Sequence, residues 1–175
     1  DQVMEFFTTS TKNLTAAAKA AGIGHYVALS IVGTDALPDS GYLRAKDAQE
    51  KLVIASGLPY SIVRATQFQE FAEAITESLV VGAEVRVPDA LIQPIAAADV
   101  VTELAHVATG APLDGIVDIG GPDKISFADM ARVVLARRGD DKRVVVDPAA
   151  TYFGTEVGAE SLVTGADGVL ATTKF

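Results

Sequence analysis

Two short, nearly continuous apolar runs, each set beside stretches of helical periodicity, constrain this chain more tightly than anything else in it. "HYVALSIVG" (25 to 33) is bounded by glycines and too short for an ordinary helix, and "PYSIVRA" (59 to 65) follows after one intervening helical pattern. A run of this length and character suits a strand buried on both faces of a parallel sheet. Upstream, "VMEFFTTSTKNLTAAAKAA" (3 to 21) spaces Val3, Phe6, Phe7, Leu14, Ala17, Ala18 and Ala21 roughly as a helix does, with Gly22 as its stop. Residues 40 to 56 read as a second helix that ends at Gly57. Helix, strand, helix, strand in this order favours βαβ units, hence an α/β fold with a mostly parallel sheet covered by helices on both faces.

The alternation continues downstream. A helix is expected over about 67 to 81, a short strand at "EVRVP" (84 to 88), an extended piece at "ALIQPIA" (90 to 96), a helix over about 97 to 109 and a final strand at "GIVDIG" (115 to 120). Ser126 opens a last helix, to about 138, because its hydroxyl can cap the helix with Asp129 at the third position. From about 147 the tail is rich in Gly, Ala and Thr with weak periodicity, and reads as loop with room for one short helix. With no repeat or linker, residues 1–175 are expected to form a single domain.

Composition removes several classes of function. A net charge of -9 and a chain without clustered Lys and Arg do not suit a phosphate backbone, and the most basic stretch, "ARRGDDKR" (136 to 143), is interrupted by two aspartates. No nucleic-acid partner is expected. The absence of Cys removes disulfides and thiolate chemistry, and His25 and His106 alone cannot build an ordinary zinc site, so no metal is expected. No run reaches the length of a membrane span, and no basic segment followed by an apolar one opens the chain. The expected setting is cytoplasmic and reducing, with no membrane partner and the oligomeric state open.

Ser30 ends the first apolar run, and Tyr42 and Lys46 stand four residues apart at the start of the second helix. That spacing puts two side chains on one helical face, about 5–6 Å apart at the β-carbons. A free phenol titrates near 10, too high for acid–base work at neutral pH, and a neighbouring ammonium lowers it by favouring the phenolate. A serine at the carboxyl end of a parallel strand lies where open α/β sheets bind ligands, and can donate to the same oxygen that the tyrosine serves. A tyrosine four residues before a lysine is common enough by chance that the context carries the reading: strand, serine, a turn of Gly, Pro and Asp, then the tyrosine in a first helical turn.

The stretch "ALSIVGTDALPDSGYLRAK" resembles the active-site segment of the short-chain dehydrogenase/reductase superfamily, and the wider sequence is similar to its atypical NmrA-like branch. The blocks that carry the likeness are "FFTTSTKNLTAAAKAAGIGHYVALSIVGTD", "GYLRAKDAQEKLVIASGLPYSIVRATQFQEF", "LIQPIAAADVVTELAHVA" and "GIVDIGGPDKISFADMARVV". The resemblance implies a Rossmann-like, doubly wound sheet, a nicotinamide cofactor with NADP(H) favoured over NAD(H), and a small carbonyl-type substrate. It implies that Tyr42 is the general acid–base and also contacts the cofactor, that Lys46 holds the cofactor ribose and lowers the tyrosine pKa, and that Ser30 orients the substrate carbonyl. Ala65, Thr66, Gln67 and Phe68 would line the nicotinamide beyond the end of the strand that Arg64 closes. Residues of about 1–82 would form the core, about 83–146 the substrate-side region and about 147–175 an irregular tail. Two other functions go with the same resemblance: a redox-sensing regulator that binds NAD(P) without turnover, and an isomerase or epimerase. Asn13 matches no family residue securely.

The superfamily opens with a strand, a glycine-rich turn and a helix whose first amides hold the cofactor pyrophosphate. Here "GIG" (22 to 24) lies between a helix and a strand, the wrong order, and "IGGPD" (119 to 123) suits a tight turn. The expectation is a chain that lacks the N-terminal strands of the fold, a truncated copy that aggregates or binds cofactor feebly when expressed alone. His25 and His106 are expected to be structural, Asp99 to serve the start of a helix, Phe68 and Phe71 to join the core, and Glu70 and Glu73 to be plain helix charges.

Overall fold

The computed structural model describes residues 2–175; Asp1, where the expected domain opens, lies outside them. Helix α1 (Gln2–Ala20) ends at Gly22, whose φ of 66° lets the chain leave the helix. Strand β1 (Tyr26–Ile31) and helix α2 (Gly41–Ala55) follow, and Ser40 caps α2 by accepting from the Leu43 amide. Strand β2 (Tyr60–Ala65) runs parallel to β1, with Ser30 beside Arg64 and Ile31 beside Ala65. Helix α4 (Ala97–Thr109) and strand β6 (Gly115–Gly120) complete the central layer, and α3 (Ala72–Ser78) lies between β2 and α4 in the chain. Helix α5 (Phe127–Arg138) begins at Ser126, which accepts from the Asp129 amide as expected, and stops at Gly139 with φ 64°.

The central sheet has the order β1, β2, β6, β9, all parallel, where β9 is Val169–Leu170 from the tail. On one face Val63, Ala65 and Ile119 meet Val100 and Val107 of α4. On the other, Arg64 reaches Glu50 of α2. This α/β layering is the one the apolar runs imply. The remaining strands form two small sheets: β3 (Val80–Val81), β4 (Glu84–Val87) and β8 (Arg143–Val146) in one, β5 (Leu91–Ile92) and β7 (Ile125–Ser126) in the other. They wrap α5, whose Phe127, Met130, Ala131 and Val134 are buried in a second core with Val85, Val87 and Ile92.

Several elements differ from the sequence expectation. Strand β1 is not buried on both faces: it is the sheet's edge, Ser30 is its one fully buried residue, and Leu29 is exposed. The helix expected over 67 to 81 is broken at both ends. Gln69 donates its amide to the Ile95 carbonyl and Ile95 to that of Gln67, so the chain stays extended through Phe68. A 3-10 turn at Gln69–Phe71 then leads into α3, and Val80–Val81 pairs back onto β4 across Gly82, whose φ is 61°. The strand at 115–120 is not the last, since β7, β8 and β9 come after it. The tail holds no helix among the described residues and instead adds β9 to the central sheet, fixed by the Ala171 amide on the Gly120 carbonyl. Gly120 and Gly121 allow close approach: a Cβ on Gly121 would fall 1.8 Å from the Pro94 carbonyl oxygen.

Candidate functional site

A cavity of about 700 Å3 opens at the carboxyl ends of β1 and β2, the position at which parallel α/β sheets hold ligands. Ser30, Tyr42 and Lys46 border it on one side and Ala65, Thr66, Gln67 and Phe68 on the other. The structure thus brings all seven sequence-derived site residues to one space.

Each is placed by its element. Ser30 is next to last in β1 and in register with Arg64, which reaches α2 from the same sheet face; it is 3% exposed and its Oγ has no hydrogen-bond partner. Tyr42 stands in the first turn of α2, 51% exposed, with its ring edge-on to Phe7 of α1 at 5.8 Å. One turn on, Lys46 is 7% exposed; its Nζ donates to the Leu29 carbonyl at 2.8 Å and to Gln49 Oε1, and lies 5.1 Å from the centre of the Phe7 ring. Burial lowers the Lys46 pKa, and the charge of Glu50 one further turn along opposes that shift. Glu50 is engaged elsewhere: it accepts Arg64 Nε and Nη2 at 2.9 and 2.6 Å, while Arg64 Nη1 reaches Asp35 at 3.2 Å. One guanidinium therefore ties β2, α2 and the loop after β1 together.

On the far side, Thr66 donates its hydroxyl to the Gln93 carbonyl. Gln67 is 8% exposed, and its Oε1 is a second buried acceptor with no partner. Phe68 and Phe71 stack nearly parallel, 5.8 Å apart, and both line the cavity; Phe68 also packs against the core as expected, while Phe71 is exposed instead of joining it. Buried polar atoms seldom remain unpaired; Ser30 Oγ and Gln67 Oε1 do so at this cavity, and His25 Nδ1 does so at the other end of the strands.

Sequence reasoning missed the residues that close the space from the tail: Tyr152, Phe153 and Leu162. Their signal is slight, one aromatic pair before a glycine in a segment without periodicity. Other flagged residues lie elsewhere. His25 faces Ser61 Oγ at 2.8 Å at the opposite end of the strands, and His106 is exposed on α4. Glu70 is more than a helix charge, since its carboxylate accepts the Ala97 amide that opens α4, while Asp99 accepts the Thr173 amide and anchors the tail. Asn13 borders a separate shallow depression on α1.

A family model described as NAD(P)H-binding matches residues 2–108, more than half of the chain. No curated protein sequence matches it. Among solved structures, the NADPH-dependent quinone oxidoreductase of Escherichia coli superposes with a TM-score of 0.65 at 19% identity, over 78% of this chain and 50% of that one. A nucleoside-diphosphate-sugar epimerase from Staphylococcus aureus gives 0.64 at 15%, over 80% and 50%. The triphenylmethane reductase of Citrobacter sp., solved with NADP(H), gives 0.60 at 16%, over 84% and 52%. At such identities the likeness is one of fold, and the chain spans about half the length of each of these proteins.

Proposed function

The chain belongs to the NAD(P)H-binding family, and we propose that it is an oxidoreductase whose cavity takes the nicotinamide and ribose of the cofactor together with a small carbonyl or alcohol substrate. The observation that carries this reading is the unpartnered Ser30 Oγ beside Tyr42 and Lys46 in one cavity at the carboxyl ends of β1 and β2.

The residues present fit that half of the cofactor. Gln67 Oε1, buried and unpaired, suits the amide N–H of a carboxamide, and the Lys46 ammonium suits ribose hydroxyls. They do not offer a pyrophosphate cradle: the space beside Gly120 and Gly121 is filled by Gln93 and Pro94. When bound, the dinucleotide supplies or accepts a hydride. Ser30 donates to the substrate oxygen and holds it toward Tyr42, which gives up a proton in reduction and takes one in oxidation.

The test is NADPH oxidation by the full chain against aldehydes, ketones and quinones, beside Tyr42→Phe, with cofactor affinity measured in parallel. Turnover that Tyr42→Phe abolishes while cofactor affinity is kept supports the reading. Cofactor binding with no turnover of any carbonyl would overturn it in favour of a redox-sensing regulator.

A further inference from the structure

We propose that the turn from Tyr152 to Thr155 is the substrate-selecting element of this site, and that it selects flat aromatic carbonyl compounds. The proposal rests on the oxidoreductase reading and deepens it. Tyr152 and Thr155 exchange both backbone hydrogen bonds, at 2.8 and 3.1 Å, and the two residues between them have positive φ, 46° at Phe153 and 80° at Gly154. A two-residue turn with both central residues in that region takes Asn, Asp or Gly at its first centre. A bulky side chain there is an outlier, and such strain persists where the surroundings enforce it, most often beside ligands.

Burial does not account for this Phe: Phe153 is 62% exposed, and its ring lines the cavity. The turn is held from the other side. Tyr152 packs edge-on against the fully buried Phe127 at 5.8 Å, and Thr155 is buried beneath it. Phe153 in turn meets Tyr152 at 4.8 Å with rings 67° apart. The core thus props one aromatic side chain, which props a second in the cavity wall. Phe68 and Phe71, stacked 5° from parallel, line the same cavity. Aromatic walls of this kind favour a planar π-system over a puckered ring of equal size. Burial raises the Tyr152 phenol to about 12. The turn lies outside residues 2–108, the segment that the family model matches.

Phe153→Gly separates selection from folding, because glycine relieves the strained φ. The probes are 2-naphthaldehyde and cyclohexanecarbaldehyde. The wild type is expected to favour the naphthaldehyde, and Phe153→Gly to raise the ratio of its KM to that of the saturated aldehyde about tenfold, with Tm equal or higher. Phe153→Asn, which also tolerates positive φ, is expected to behave the same way. An unchanged KM ratio in both variants, or a wild type that prefers the saturated aldehyde, overturns the proposal. Equilibrium binding of 2-naphthaldehyde keeps the two readings apart. Binding weakened tenfold in the variants without wild-type turnover sustains the turn's role and removes the oxidoreductase reading. Turnover that ignores Phe153 does the reverse.

Discussion

Tyr42 and Lys46 share one face of α2, yet one is half exposed while the other is buried against Phe7 and the Leu29 carbonyl. The exposed phenol is free to meet a substrate, and the buried ammonium is fixed in place. Tyr42→Phe is therefore expected to lower kcat by about 100-fold or more, with cofactor affinity within a factor of about 2. Lys46 carries a pH signature. Its folded pKa lies below the ordinary 10.5 because burial disfavours the charge, so cofactor affinity is expected to fall as pH rises through a value below 10.5. The same shift means that between the two pKa values the unfolded chain binds more protons, and stability rises with pH across that window. Titrating cofactor affinity against pH, with Lys46→Met as the variant that loses the alkaline limb, checks the first, and denaturant unfolding across the same pH window checks the second. Ser30, Tyr42 and Lys46 were legible in the sequence because their chemistry is written at short range: a strand end and one helical turn. Gln67's unpaired Oε1 and the pair Tyr152 and Phe153 were not, because their meaning comes from atoms far away in the chain.

At the scale of elements, α2 is seated on the sheet by the pair between Glu50 and Arg64, both nearly out of solvent. Removing one partner of a buried pair is costly, even though Asp35 at 3.2 Å still meets Arg64 here. Glu50→Gln is expected to cost about 3 kcal/mol, a fall in Tm of roughly 6–12 °C, read by calorimetry. It should also move the alkaline limb of Lys46 to lower pH, because the charge that raises that pKa is gone. Gly121→Ala tests another seat. The new methyl would meet the Pro94 carbonyl at 1.8 Å, so the extended piece after β5 would have to shift. Loss of folding or a Tm fall larger than that of Glu50→Gln is expected. Helices α2, α4 and α5 and strands β1, β2 and β6 were readable almost to their ends, because caps, glycines and periodicity agree there. The stretch 67 to 81 was not: the long-range hydrogen bonds between Gln67, Gln69 and Ile95 override its helical pattern.

For the whole molecule, the notable surface is the one around β1 and α1. Strand β1 has a sheet neighbour on one side only, and Phe6 and Leu14 of α1 are exposed while Thr11 and Thr15 are buried. An open edge and apolar side chains in water favour self-association. The chain is expected to associate with rising concentration in sedimentation velocity, and a variant with Phe6→Lys and Leu14→Lys to stay dispersed longer. Sequence periodicity made the α/β class plain but hid this surface, because the apolar positions of α1 promise a buried face that the described residues do not supply. The central claim is that the cavity at the ends of β1 and β2 is the nicotinamide–ribose half of a dinucleotide site. Amide chemical shifts during titration with reduced nicotinamide mononucleotide and with NADPH test it most directly. The account predicts that both ligands move Ser30, Lys46 and the segment from Thr66 to Phe68, with similar affinities. Shifts confined to Gly22–Gly24 or to Gly120–Asp123, with the cavity residues unmoved, would contradict it.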